Sequence, residues 1–257
     1  MVTQYNERQS ELKKAFMDVN VNGYWNEVCE QLLHLDEEFF EIYSDFTSVP
    51  WKTGVLEPKI KELINIAICS SPTHLSSPAT RIHIQNALRL GASREEILEV
   101  LKIVSILGVH TCAVGVPLMV EEFDVIDPEK GVDLSEKQRQ LKAEFIEQMG
   151  YWHDFRDVLL QMDEKFFEAY TNFLTGPWKK GVLEPKVIEF IYIAIDSSTT
   201  HLFEKGIQVH LKNALKYGAT KEEILEVYQL TSAQGFHTLL MGIPILLEEV
   251  KKRNSQS

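Results

Sequence analysis

The chain repeats itself. Gly23-Tyr24-Trp25 recurs at Gly150-Tyr151-Trp152, PWKTGVLEPK from Pro50 recurs as PWKKGVLEPK from Pro177, and NALRLGASREEILEV from Asn86 recurs as NALKYGATKEEILEV from Asn213. The offset is 127 residues each time, so 23–123 align with 150–250 without a gap, and roughly half of the positions are identical. A period this long exceeds a solenoid unit and marks two copies of one domain. The repeat predicts a first domain over 1–123, a linker over 124–135 rich in Pro, Gly and mixed charge, and a second domain over 136–257. Ser135, followed by Gln138, reads as a capping box that opens the second copy. The tail from Lys251 is expected to fray.

Within each copy the pattern is helical. A helix is predicted over Trp25 to Phe46. Pro58 suits a first helical turn, and the nearly all-round apolar run from Ile60 to Ser70 predicts a buried helix. Ala79 to Leu90 forms the next, ended by Gly91. Ser93-Arg94-Glu95-Glu96 is a capping box for a further helix, and Thr220-Lys221-Glu222-Glu223 repeats it. Gly108 bends the chain before a last helix from His110 to Phe123. No alternating strand segment of convincing length is present, so both copies should be all-α.

Charge and cysteine content narrow the function. With 26 Lys plus Arg against 38 Asp plus Glu, the net charge is −12. Nucleic acid and anionic membrane surfaces are poor partners for such a chain. The three cysteines, Cys29, Cys69 and Cys112, form no CxxC pair. A zinc ribbon, a thioredoxin-type site and a disulfide scaffold are therefore not expected. The first residues lack the apolar core of a signal peptide. No apolar run reaches the roughly 18 residues of a membrane span, and Ile103 to Val120, the nearest, reads as a buried helix. The cytoplasm is the expected location by default.

Comparing the two copies separates the polar residues. His74 pairs with His201, His83 with His210, His110 with His237, and Glu62 with Glu189. No cysteine is retained: Cys29 faces Arg156, Cys69 faces Asp196 and Cys112 faces Leu239. His83 shares a helix face with Ala87 and Leu90, and Ile66 and Ile193 follow the two glutamates by one turn. The carboxylates thus sit among apolar neighbours, where a histidine partner would offset the cost of burial and give acid–base chemistry near neutral pH. Structural readings stay open. His83 could bond a backbone carbonyl, Glu62 could serve the helix dipole, His74 could cap the PTHLSSP loop, and His110 could simply pack. Trp51 and Trp178 are large enough to anchor a core or an interface, and with His74 and His201 they are candidates for substrate binding.

The string Glu62…His83-x-x-x-Ala87-x-x-x-Gly91-Ala92-Ser93-x-Glu95-Glu96-Ile97, and its repeat Glu189…His210-x-x-x-Ala214-x-x-x-Gly218-Ala219-Thr220-x-Glu222-Glu223-Ile224, resembles the carboxymuconolactone decarboxylase family. That family also contains the AhpD-like alkylhydroperoxidases. The peroxidase branch carries Cys-x-x-Cys-x-x-x-His, whose cysteines would fall at Ser76 and Ala79, or at Phe203 and Gly206. Thiol peroxidase chemistry is therefore not expected. The resemblance implies two AhpD-like helical domains and a cofactor-free enzyme acting on a small carboxylated lactone or keto acid. Its acid–base residues would be His83 and His210, oriented by Glu62 and Glu189, with His110 and His237 as second donors to the substrate, and a site could draw one residue from the other copy. No cofactor or metal is expected on this reading. Two alternatives remain: a metal-dependent enzyme using three histidines and one carboxylate per copy, or a non-enzymatic binding protein on the same fold. Single-domain relatives assemble as trimers or hexamers, so three duplicated chains are expected to form a homotrimer with a pseudo-hexameric arrangement.

Overall fold

The computed structural model describes residues 5–19, 25–123, 131–179 and 181–255, with the side chains of 178 and 179 outside that description. Among the described residues, each copy contributes seven helices in the same order. In the first they are α1 (Glu7–Val19), α2 (Glu27–Leu35), α3 (Glu37–Thr53), α4 (Pro58–Ser70), α5 (Ser77–Arg89), α6 (Arg94–Ser105) and, after a 3-10 turn at Ile106–Val109, α7 (His110–Phe123). In the second they are α8 (Glu136–Met149), α9 (Phe155–Met162), α10 (Glu164–Lys179), α11 (Pro185–Ser197), α12 (Glu204–Lys216), α13 (Lys221–Ser232) and, after a 3-10 turn at Ala233–Gly235, α14 (Phe236–Ser255). No strand occurs among the described residues. The fold is all-α.

Several local expectations hold. Pro58 opens α4, whose Leu63, Ile64, Ile66, Ala67 and Ile68 are all buried. Ser93 and Glu96 exchange bonds as a capping box, at 2.7 and 3.1 Å, as do Thr220 with Glu223 and Ser135 with Gln138. Gly91 ends α5 at φ +85°, a left-handed position that glycine takes without strain.

Others need correction. The helix expected over Trp25–Phe46 is two helices, α2 and α3, broken at Asp36. The Asp36 carboxylate accepts the Phe39 N–H at 2.9 Å and so caps a new helix. Asp163 repeats the device with Phe166 at 2.9 Å. The tail does not fray at Lys251: α14 continues to Ser255, with Lys252 paired to Glu248 and Glu249 in its last turns. Cations there complement the helix dipole. The stretch Ile103–Val120 is not one buried helix. The 3-10 turn splits it, and α7 has no buried residue, with Val114 and Leu118 exposed. Two stretches, Arg94–Phe123 and Lys221–Ser255, are long and apolar enough to cross a membrane by composition alone, against expectation. Each is interrupted by its 3-10 turn, and each buries a glutamate, Glu99 or Glu226, as a core helix does. Of the expected linker 124–135, residues 124–130 lie outside the described ones.

The chain packs as two compact units, one of 1–104 with 183–257 and one of 105–182. These cut across the sequence copies. In the first unit α4 packs on α5, α11 on α12, and α4 on α11. The core of Phe16, Cys29, Leu32, Leu33, Phe40 and Cys69 is completed by Leu240 and Ile243 of α14. In the second unit, α7 packs on α9 beside a core of Phe145, Leu160, Phe167 and Tyr170. The last helix of each copy therefore packs on the second helix of the other. Within the first unit the two copies also exchange buried glutamates. Glu226 of α13 accepts the Leu56 N–H before α4, and Glu99 of α6 accepts the Leu183 N–H before α11 at 3.1 Å. Thr73 and Thr200, equivalent positions, bond each other at 3.1 Å, as groups beside a local two-fold axis would.

Candidate active site

Glu62 occupies the second turn of α4 and is fully buried. It serves more than the helix dipole, because His83 Nδ1 on α5 donates to its Oε2 at 2.7 Å. His83 is thus paired to a side-chain carboxylate. A carboxylate buried among isoleucines is tolerable only with such a partner.

The third member comes from the other copy. His237, in the first turn of α14, has Nε2 3.5 Å from Cys69 Sγ, while its Nδ1 shares a 2.6 Å hydrogen bond with His74 Nε2. The expected trio of Glu62, His83 and His110 is corrected here. The histidine that joins the pair is His237, and His110 belongs to the second compact unit. The same correction applies to Glu189 and His210, whose expected companion His237 serves the first pair. His74 is carried by a tight loop. Its N–H and that of Leu75 both bond the Ser71 carbonyl, and Leu75 sits at φ +48°. A leucine in the left-handed region costs free energy and persists where its surroundings impose it. Leu202, after His201, repeats it at φ +49°.

The two imidazoles differ electrically. Burial disfavours the cationic form of His83, but Cys69 and Glu62 outweigh it and raise His83 to about 10. Burial, then the neighbouring His83 and His74, push His237 down to about 3. The two rings are thus pushed in opposite directions, His83 toward the cationic form and His237 toward the neutral one.

Both rings line a cavity of about 70 Å³, bounded also by Tyr43, Trp51, Asn65 and Phe236. Tyr43 and Phe236 stack at 4.2 Å to form one apolar wall. Trp51 is where substrate contact was expected; the Trp178 side chain lies outside the described residues. Against the roughly 300–1,000 Å³ of drug-sized ligand sites, this volume limits an occupant to a small molecule.

The sequence comparison missed Cys69, because the residue is not retained. It lies seven residues after Glu62, two helical turns along the same face of α4. Cys69, His83 and His237 bring three ligand-type atoms within 4.8 Å of one another. This is not the expected set of three histidines and a carboxylate.

The second copy builds a different site. His210 Nδ1 donates to Glu189 Oε2 at 2.7 Å, repeating the first pair. The position of Cys69 holds Asp196, whose oxygens lie 3.9 Å from His210 Nε2 and 3.8 Å from His201 Nε2. Burial raises Asp196 to about 7, with His210 opposing. Tyr192, in place of Asn65, stacks on His210 at 4.3 Å. Gly206, in place of Ala79, makes room for the carboxylate: a Cβ there would lie 1.9 Å from Asp196 Oδ2.

The carboxymuconolactone decarboxylase family matches residues 37–111 and 164–237, and the chain belongs to that family as a tandem duplicate. A crystal structure from Burkholderia xenovorans LB400, of a protein named provisionally as a gamma-carboxymuconolactone decarboxylase subunit, is 38% identical. It aligns over 98% of this chain and 100% of its own, with a TM-score of 0.87. No curated protein matches the chain.

Proposed function

We propose that the chain is a decarboxylase-like acid–base enzyme acting on a small carboxylated lactone or β-keto acid in the cavity beside His83 and His237. The observation that carries the reading is that both imidazoles line one cavity and each has its Nδ1 held, by Glu62 and by His74. Held rings present Nε2 in a fixed direction, the preorganisation that acid–base catalysis requires. In the reaction the carbon–carbon bond to the carboxylate breaks and carbon dioxide leaves. The electron pair passes to an enolate, whose oxygen the protonated His83 stabilises before its Nε2 proton passes to carbon, and solvent then reprotonates the ring. His237 is the second polar contact to the substrate. The apolar wall of Tyr43, Trp51 and Phe236 favours loss of the carboxylate charge. The name of the Burkholderia xenovorans protein supports the reaction class.

We place the reaction at the first copy's pair, because Tyr192 covers the face of His210 in the second. The test is carbon dioxide release from a panel of carboxylated lactones and β-keto acids. His83→Gln is expected to lose 100-fold or more in kcat/KM, in the usual range for a removed acid–base group. His210→Gln is expected to stay within about five-fold, since no reacting atom lies on it. Equal losses would overturn the placement, and no turnover on any substrate of the panel would overturn the reading.

A further inference from the structure

We infer that Cys69, His83 and His237 form a binding site for one divalent transition metal of the zinc class. The inference goes beyond the acid–base reading and does not rest on it, since it needs no substrate. The three side chains are close enough to share one ion. The three ligand atoms fall within 4.8 Å of one another, and Cys69 Sγ lies 3.5 Å from His237 Nε2. Zinc bonds of about 2.3 Å to sulfur and about 2.0–2.1 Å to nitrogen, at a tetrahedral angle, imply a sulfur–nitrogen separation of about 3.5 Å. One thiolate with two imidazoles suits zinc or cobalt(II) and disfavours magnesium or calcium.

The outer contacts fit as well. Histidines that bind metal through one nitrogen almost always give the other to a carboxylate or another acceptor, which fixes the ring. His83 gives Nδ1 to Glu62 at 2.7 Å, and His237 shares Nδ1 with His74 at 2.6 Å. Both Nε2 atoms are thereby turned toward the same volume, and Cys69 is 1% exposed. The ligands come from α4, α5 and α14, each a helix in the same compact unit. Three protein ligands leave a fourth position, which a water or small anion from the adjoining cavity would complete. Metal on these nitrogens would exclude their use as proton carriers, so the metal-free and metal-loaded chains are two distinct states of one site. In the second copy Asp196 stands where Cys69 does, so a thiolate-ligated metal counts one per chain.

The experiment uses the full chain, stripped with a chelator and titrated anaerobically with cobalt(II). A sulfur-to-cobalt charge-transfer band should grow and saturate at one equivalent per chain, and zinc should abolish it. Cys69→Ser should lose the band. His74→Gln should keep it but weaken cobalt affinity by 10-fold or more, as loss of an outer contact does. Should Cys69→Ser fail to fold, the Cys29→Ser/Cys112→Ser double variant decides, because Cys69 is then the sole thiol and the band must persist. A titration without the band, or a band that depends on Cys29 or Cys112, overturns the site. The readout is independent of turnover, so failure of the decarboxylase reading leaves it intact.

Discussion

At the scale of single residues, the two copies have taken one position in different chemical directions. Asp196 is buried where Cys69 stands in the first copy, facing His201 and His210. Its ordinary value of 3.8 is raised to about 7 by burial. Between those values the folded chain keeps a proton that the unfolded chain has lost, so stability falls as pH rises from about 4 to about 7 and then levels off. Asp196→Asn cannot ionise. It should match the parent near pH 4 and exceed it at pH 8 by on the order of 2–4 kcal/mol, measured by urea denaturation at both values. A difference that does not grow with pH would contradict the buried, raised carboxyl. Gly206 gives a companion prediction. Alanine is better than glycine in a helix by up to ~1 kcal/mol, yet its Cβ would overlap the Asp196 carboxylate and the Phe203 ring. Overpacking wins, and Gly206→Ala should destabilise by about 2 kcal/mol in the same assay. The sequence showed the paired glutamates and histidines, because two diverged copies kept them. It hid Cys69, since retention was the criterion and the copies differ there. It left open which histidine joins Glu62 and His83, because His110 and His237 are equivalent in sequence and only packing decides which one arrives.

At the scale of helices, the short polar signals were more dependable than the long apolar ones. The capping boxes at Ser93, Ser135 and Thr220 formed as read, because a cap is a local bargain between neighbours. The apolar pattern from Trp25 to Phe46 runs on in phase through Asp36, so periodicity alone missed the break that the Asp36 cap imposes. Asp36→Ala should therefore lower stability by about 1 kcal/mol, as loss of an N-cap usually does; thermal unfolding of the variant checks it. The 3-10 turn of the first copy was foreshadowed by Gly108, but the direction in which α7 and α14 leave their turns was not. That direction depends on which core has room, and the core of Phe16, Leu33 and Phe40 takes Leu240 and Ile243 of α14.

At the scale of the whole molecule, all-α architecture and tandem duplication were legible, whereas the packing units were not. We propose that 1–123 and 136–257 are domains by descent rather than by folding. Expressed alone, residues 1–123 should lack a cooperative melting transition, because the helix that covers their core is α14; a sharp transition in the isolated fragment would refute this. We also propose a homotrimer. Phe123 of α7 and Met241, Ile245 and Leu246 of α14 are exposed apolar residues of the kind that interfaces cover. Light scattering should give three times the 29.5 kDa chain mass, and a stable single-chain mass would reject it. The exchange of last helices has a genetic consequence. His237 is encoded in the second copy yet completes the first copy's site, so neither copy can be deleted without dismantling the other. Recombination between the gapless repeats would leave a single copy with a last helix and nowhere within itself to put it. Such a product could regain the same packing only as a pair of chains, each lending its final helix to the other, so the duplication reads as that exchange made permanent by a peptide bond.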